Sequence, residues 1–592
     1  MIAYPFDAAE LLRRRRAIKK ELLQQENLLE KRIAILSGTT VGELKTLLEI
    51  FLLSYGIRPV FHEGEYDRFY EDAVFGTDEL KAFAPDVIWV NTSYHSIKNL
   101  PVAGEDAASV KEKLAAETAR FQAVWQGLAA CGCPIIQNNF DLPRVRVMGN
   151  ADAVLPGGKV RFVRQLNEAF AQAAEENPAL YLLDYEYAAA WYGIDQFSDP
   201  SYYNAYKYGL CLNAIPHVAF QCANIIKSLF GKNKKALFLD LDNTLWGGVI
   251  GDDGVEGIQL GLENPKGIAY SDMQRYAAEL PALGIILGVC SKNEDAAAKS
   301  GFTHPSSVLK VDDFVNFTAN WLPKSENLQN AANTLNVGVD SFVFADDNPA
   351  EREIVRANLP ATAVPELTLP ERFAETVANG GYFEVTSLSA DDRKRSEMYR
   401  ENAKREAAQQ QFTDYGEYLQ SLAMKGYFGA FGDGQLERVT QLANKTNQFN
   451  LTTRRYQPEE MRARAADPDT VTVYGRLEDK FGDNGIVSCI VARRTDAETF
   501  DVELWIMSCR VFKRDLELAM FDRLVEAVRA KGASRITGSY YRTAKNPIVA
   551  EFYGTLGFTK TEGDGEHSLW SYEIPADYAD QNKYIEVIHE QN

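Results

Sequence analysis

The sequence predicts a multidomain α/β protein: a central domain around a parallel sheet, an amino-terminal α/β domain and a carboxy-terminal α+β domain. Three observations carry this prediction. The 592 residues exceed what one hydrophobic core supports and suit roughly three to four domains. Short apolar runs alternate with helical patterns from residue 33 to about residue 378, as in parallel sheets crossed by helices. From Lys425 onward strands follow one another directly, and one long helical pattern succeeds them.

Residues 1–32 form a charged segment of helical character, with Arg13 to Arg16 in a row. It lacks the apolar stretch of a signal peptide and carries the acidic residues that transit peptides avoid. The arginine run reads as a solvated helix face. In residues 33–230, Ile33–Leu36, Pro85–Val90, Pro134–Ile136 and Leu180–Leu183 read as strands, and Gly42–Tyr55 and Ala107–Cys131 as helices. A second α/β unit spans 231–385. A polar stretch, Ser389–Gln411, reads as a linker helix within 386–424. In 425–592 the strands are Val471–Tyr474, Gly485–Arg493 and Phe500–Ile506, followed by a helix over Asp515–Lys531.

Composition narrows the function classes. A formal charge of −20 argues against a nucleic-acid binder, which needs a basic surface. No apolar run reaches the ~18 residues that a membrane span requires. Seven scattered cysteines, with Cys131 and Cys133 lacking a second pair, fit neither a disulfide framework nor a zinc site. They point to a reducing, cytoplasmic compartment.

The chemistry lies in the central domain. Ala236–Leu239 is a buried-strand pattern that runs into Asp240-Leu-Asp242-Asn243-Thr244. Open α/β sheets place their sites at the carboxyl ends of strands. Two acids crowded there repel each other, and a hard cation such as Mg²⁺ relieves the repulsion. A D-x-D taken alone also suits an Asx-turn. Three further pieces complete the set. Ile285–Ser291 is a second strand ending in a hydroxyl. Trp321-Leu-Pro-Lys324 puts a lysine at a helix start. Phe342–Asp347 is a third strand ending in two carboxylates. The four together, in this order, are far more specific than any one of them.

This constellation resembles the haloacid dehalogenase (HAD) superfamily, with its Rossmann-like parallel sheet. The resemblance implies that Asp240 attacks phosphorus to form an aspartyl-phosphate. Asp242 then protonates the leaving oxygen and activates water. Ser291 and Lys324, with Asn243 and Thr244, hold the phosphoryl group. Asp240, Asp242, Asp346 and Asp347 form the Mg²⁺ site. The spacing alone equally allows a simple metal hydrolase. Gly247–Gly261 is too short for a large cap domain.

Longer motifs resemble the FkbH-like family: Asp240–Gly254, Val289–Asn293, Asn320–Ser325, Asp346–Arg352, Asn444–Arg454 and Asp479–Gly485. Looser matches lie at Gly56–Pro59, Pro85–Val87 and Gln137–Pro143. The family implies a phosphorylated small-molecule substrate, 1,3-bisphosphoglycerate. Its glyceryl group is held as an enzyme thioester and passed to an acyl carrier protein. Cys290 is the candidate thiol under that scheme. It is equally a buried core residue, because it neighbours Ser291 on a strand whose side chains alternate. Cys509 is a second candidate.

The last domain resembles the GNAT acyltransferase fold. The loop expected to seat a pyrophosphate reads Arg510-Val-Phe-Lys513-Arg514-Asp515, with Lys513 and Asp515 where that fold carries small residues. Arg510, Lys513 and Arg514 are therefore either carrier or pantetheine phosphate contacts or a solvated turn. The first domain resembles SGNH hydrolases through Ser37–Thr40 and Gly149-Asn150. At Asp199-Pro-Ser-Tyr202, however, tyrosine stands where that family has its histidine, and His217 lies too far along to substitute. A docking or scaffold role is expected of it. The alternatives to glyceryl transfer are a plain phosphatase acting on a sugar phosphate or polysaccharide precursor, and an assembly protein with a vestigial GNAT domain.

Overall fold

The computed structural model describes the chain except residues 1, 3, 389–397, 400, 402–404, 406, 407, 410, 411, 413, 509, 510, 544, 591 and 592. The chain falls into two compact units, residues 1–232 and 233–592.

The first unit is built on five parallel strands: β1 (Leu29–Ser37), β2 (Ile57–Glu63), β3 (Val87–Asn91), β4 (Ile135–Asn138) and β5 (Leu180–Leu183). Their order is β2-β1-β3-β4-β5. Side chains of β1 alternate between two cores. Ile33 and Ile35 pack with the helix Gly42–Ser54, while Ala34 and Leu36 pack with the helix Ala107–Ala129. The helical start ends earlier than the sequence suggests, with a helix over Ala8–Leu22 and β1 beginning at Leu29. The charged residues Lys31 and Arg32 belong to the strand because Asp86 accepts from Lys31 Nζ and from Arg32 N, both at 2.7 Å.

The second unit opens with four parallel strands: β6 (Ala236–Leu239), β7 (Ile286–Ser291), β8 (Asn316–Ala319) and β9 (Phe342–Ala345). Their order is β8-β7-β6-β9. Leu237 and Leu239 feed one core, and Ala236 and Phe238 the other. The Phe238 ring fills the space a side chain at 288 would need: a Cβ on Gly288 would lie 2.4 Å from it.

The expected linker helix lies largely outside the described residues. Beyond it come β10 (Met424–Gly429), β11 (Phe449–Asn450), β12 (Thr470–Asp479), β13 (Gly482–Arg494), β14 (Thr499–Met507), β15 (Arg535–Tyr541), β16 (Thr559–Gly563), β17 (His567–Glu573) and β18 (Ile585–His589). They form a mixed sheet in the order β16-β17-β15-β14-β13-β12-β10-β18, with the helix Leu516–Ala530 joining β14 to β15. β14 and β15 are parallel and paired from Thr499–Arg535 to Val502–Gly538. Past that point β11 takes the edge of β14, with Phe449 opposite Met507 and Asn450 opposite Ile506. Leu451 then bridges both strands: its N–H donates to Trp505 O and its carbonyl accepts from Tyr541 N. Among the described residues no helix is long and apolar enough to cross a membrane.

Candidate active site

The site sits at the carboxyl ends of β6, β7 and β9. Asp240 is the first residue past β6, and its N–H still donates to Ala345 O at 3.0 Å. The chain then turns. Asn243 adopts a left-handed conformation (φ 55°), which asparagine tolerates, and its Oδ1 accepts from Gly248 N at 3.0 Å. The turn brings the buried Thr244 under the β9 tip, where its hydroxyl accepts from Asp347 N at 3.1 Å. Asp346 and Asp347 follow β9 directly. Asn348 N–H donates to Asp346 Oδ1 at 2.9 Å, and Asn348 caps the helix Pro349–Asn358.

Lys324 is the first residue of the helix Lys324–Leu335. Its Nζ lies 2.9 Å from Asp240 Oδ1 and 2.5 Å from Asp346 Oδ2, with all three side chains buried. Ser291, at the end of β7, hydrogen-bonds Asp240 from another side. Burial pushes the Asp240 carboxyl up to about 6 against the pull of Lys324. Burial also raises Asp346 and Asp347, with Asp240 adding to the effect on Asp347. Burial opposes the charge on Lys324, yet Asp240 and Asp346 hold its ammonium above the usual lysine range.

Carboxylate oxygens of Asp240, Asp346 and Asp347 lie within 4.8 Å of one another. An all-oxygen, acid-rich set of this kind fits a hard divalent cation better than a soft, thiolate-seeking metal. Three acids against one ammonium leave buried negative charge that a cation would offset.

Asp242 does not join this set. Its Oδ1 accepts from Trp246 Nε1 (2.9 Å) and Ile250 N (3.0 Å), and its Oδ2 from Asn293 Nδ2 (2.8 Å). The D-x-D spacing would put both acids on one strand face, but β6 ends at Leu239 and the turn at Asn243 redirects the second acid.

Cys290 faces the core. It is 1% exposed among Phe238, Ile286 and Phe344, and its Sγ contacts Lys324 O at 3.6 Å. Burial pushes the thiol well above the usual cysteine range, disfavouring the thiolate. Strand alternation therefore settles its orientation: Ser291 faces the acids and Cys290 does not.

The other candidates are scattered. Cys509 and Arg510 lie outside the described residues. Lys513 and Asp515 both have left-handed backbone (φ 62° and 57°), the region that favours glycine. Arg514 is 6% exposed and its Nη1 pairs with the buried Asp479 at 3.0 Å, so it is no solvated turn residue. Burial lowers its guanidinium to about 10. In the first unit, Ser37 is buried; its hydroxyl lies 2.8 Å from Thr39 O and accepts from Asn91 Nδ2 at 3.0 Å. Tyr185 in turn donates to Asn91 Oδ1 at 2.7 Å. Asn150 is exposed, Asp199 caps the helix Pro200–Tyr206, and His217 stacks on Phe6.

Three residues without a sequence-assigned role shape the site. Arg352 is buried and its Nη1 donates to the carbonyls of Asp346 (2.9 Å) and Asp347 (2.7 Å), fixing the β9 tip. Asn293 and Trp246 hold Asp242. Their motifs flag the loops; Trp246 and Arg352 reach partners nearby in sequence, whereas Asn293 crosses from the β7 loop to Asp242 with no local signal.

The FkbH amino-terminal domain model matches residues 32–227. A crystal structure of the amino-terminal part of BF1531 from Bacteroides fragilis, containing a phosphatase domain complexed with Mg, is 30% identical, with a TM-score of 0.59. The match covers 65% of this chain and all of that one. PaiA N-acetyltransferase of Thermoplasma acidophilum, in complex with coenzyme A, is 12% identical over 25% of this chain and 99% of its own, with a TM-score of 0.20. Rv2747 of Mycobacterium tuberculosis, in complex with CoA and NLQ, is also 12% identical over 25% of this chain and 99% of its own, with a TM-score of 0.21. Comparison with curated proteins gives no match. Matched over the whole of the Bacteroides phosphatase-domain structure and by the FkbH model at its amino-terminal domain, the chain belongs to the FkbH-like family of HAD-superfamily phosphatases.

Proposed function

We propose that the central domain is a Mg²⁺-dependent phosphatase of a phosphorylated small molecule, working through a phosphoenzyme on Asp240. The observation that carries this reading is the Lys324 ammonium between Asp240 and Asp346, with Asp347 alongside. Asp240, Asp346 and Asp347 would hold the ion, and the related Bacteroides structure contains Mg. Bound there, Mg²⁺ offsets the carboxylate charge and polarises a phosphoryl oxygen.

A carboxylate oxygen of Asp240 attacks phosphorus, and the bond to the leaving oxygen breaks. Lys324 and the Ser291 hydroxyl hold the phosphoryl oxygens as negative charge shifts among them. Asp242, when protonated, gives its proton to the departing oxygen, then takes one from the water that hydrolyses the acyl-phosphate. Its three hydrogen-bond donors keep it oriented between the two steps. Asp240→Asn keeps the shape and removes the nucleophile, so phosphate release from test phosphomonoesters is expected to vanish. Retained release would remove Asp240 from this role.

The family resemblance extends the reading to glyceryl transfer from 1,3-bisphosphoglycerate to an acyl carrier protein. That scheme needs an open thiol. Cys290 is the described cysteine next to the site, and it is closed off at the back of it. Hydrolysis is therefore the reaction this geometry supports best. A glyceryl adduct on wild type that Cys290→Ala lacks, seen by intact-protein mass spectrometry, would establish the transfer reading.

A further inference from the structure

Trp321 is one of several largely exposed apolar side chains. It is 67% exposed, although indoles seldom stay so open. Its ring is nevertheless held in one place: Nε1 donates to Glu294 Oε1 at 2.7 Å. A charge-assisted bond of this kind fixes the side chain without covering its face. Both partners lie on loops of the site. Trp321 is three residues before Lys324, and Glu294 three after Ser291. The loops are joined again where Asn320 N donates to Ser291 O at 3.2 Å. Asn320 is itself fixed, its Oδ1 accepting from Leu322 N and Asn327 Nδ2. The next residue after Trp321, Leu322, is 46% exposed.

We propose that Trp321, positioned by Glu294, is the residue against which the leaving group of the substrate packs, and that it selects phosphomonoesters whose alcohol carries a ring or flat apolar skeleton. This rests on the phosphatase reading above. A single exposed apolar residue ordinarily needs no explanation. Here the indole is tethered on the loops that carry two phosphoryl-holding groups, and the β6–β7 connection holds the helices Ile250–Gly257 and Pro265–Glu279 and no large cap domain. A rigid ring loses little conformational freedom on binding, so its stacking is realised as affinity. Stacking of one aromatic ring is worth up to about tenfold.

The test compares 1-naphthyl phosphate with acetyl phosphate, using the full-length protein with Mg²⁺. For Trp321→Ala the ratio of kcat/KM values, naphthyl over acetyl, is expected to fall by about tenfold, mainly through KM for the naphthyl ester. Trp321→Phe keeps a ring and should keep most of the ratio. Glu294→Ala frees the indole and should lower it in part. An unchanged ratio in Trp321→Ala would overturn the proposal, as would an equal loss in the Ala and Phe variants. Binding of 1-naphthyl phosphate to Asp240→Asn, with and without Trp321→Ala, separates this proposal from the phosphatase reading. Trp321-dependent affinity without turnover supports the platform even if Asp240 is not the nucleophile. Affinity that ignores Trp321 refutes it even if Asp240 is.

Discussion

Lys324→Met removes one charge and keeps a similar volume, so it isolates what the ammonium contributes. Lys324 Nζ reaches Asp240 at 2.9 Å and Asp346 at 2.5 Å, and the three side chains are nearly sealed from water. Without it, buried carboxylates face one another uncompensated. Breaking a buried ion pair by deleting one partner costs about 3–5 kcal/mol. For a domain of this size that lowers the melting temperature by roughly 10 °C. The loss has a defined pH dependence. Burial already raises the Asp240 carboxyl to about 6, above its value in an unfolded chain. A carboxyl raised on folding favours the folded state below its unfolded pKa, and that advantage is lost as pH rises through about 6. Removing Lys324 deepens the loss, so the gap between variant and wild type should be wide at pH 7.5 and narrow at pH 5. Mg²⁺ should close part of it at pH 7.5 by binding only the folded form. Thermal melts at the two pH values, with and without Mg²⁺, make the measurement. A variant as stable as wild type at pH 7.5 without Mg²⁺ would refute the reasoning.

Three further outcomes are expected. Mg²⁺ affinity of the wild type, measured by titration calorimetry, should weaken as pH falls through about 6, because protons compete for Asp240; a flat affinity between pH 7.5 and 5 would contradict this. Arg352→Ala frees the carbonyls of Asp346 and Asp347 and should weaken Mg²⁺ binding by about 10–100-fold while the protein stays folded, with calorimetry and circular dichroism as the readouts. Cys290 should resist iodoacetamide in the folded protein, and Cys290→Ala should keep phosphate release; rapid alkylation followed in a mass spectrum would show that the thiol opens.

What the sequence made legible was the strands buried on both faces. Ala236–Leu239, Ile286–Ser291 and Phe342–Ala345 are continuous apolar runs with polar tips, and a run of that kind has few alternatives. β8 carries no such signal because it is an edge strand, with Asn316 and Thr318 half-exposed and no apolar run. β11 is two residues long and exists only because β14 and β15 part beside it. Asp242 shows the limit of reading spacing. Its separation from Asp240 implies one shared face only while the strand lasts, and the strand has already ended. Cys290 shows the reverse: alternation along β7 was available in the sequence and matches the buried, core-facing position of its side chain. The Asn293–Asp242 and Trp321–Glu294 contacts join loops far apart in sequence, which periodicity and propensity do not register.

A covalent phosphoryl intermediate on Asp240 can be trapped by acid-quenching the wild type during turnover of acetyl phosphate with Mg²⁺ and mapping phosphorylated peptides by mass spectrometry. The expected result is a phosphoryl group on the peptide that carries Asp240, lost on hydroxylamine treatment and absent from Asp240→Asn. Steady turnover with no such adduct, or an adduct that survives in Asp240→Asn, would contradict it.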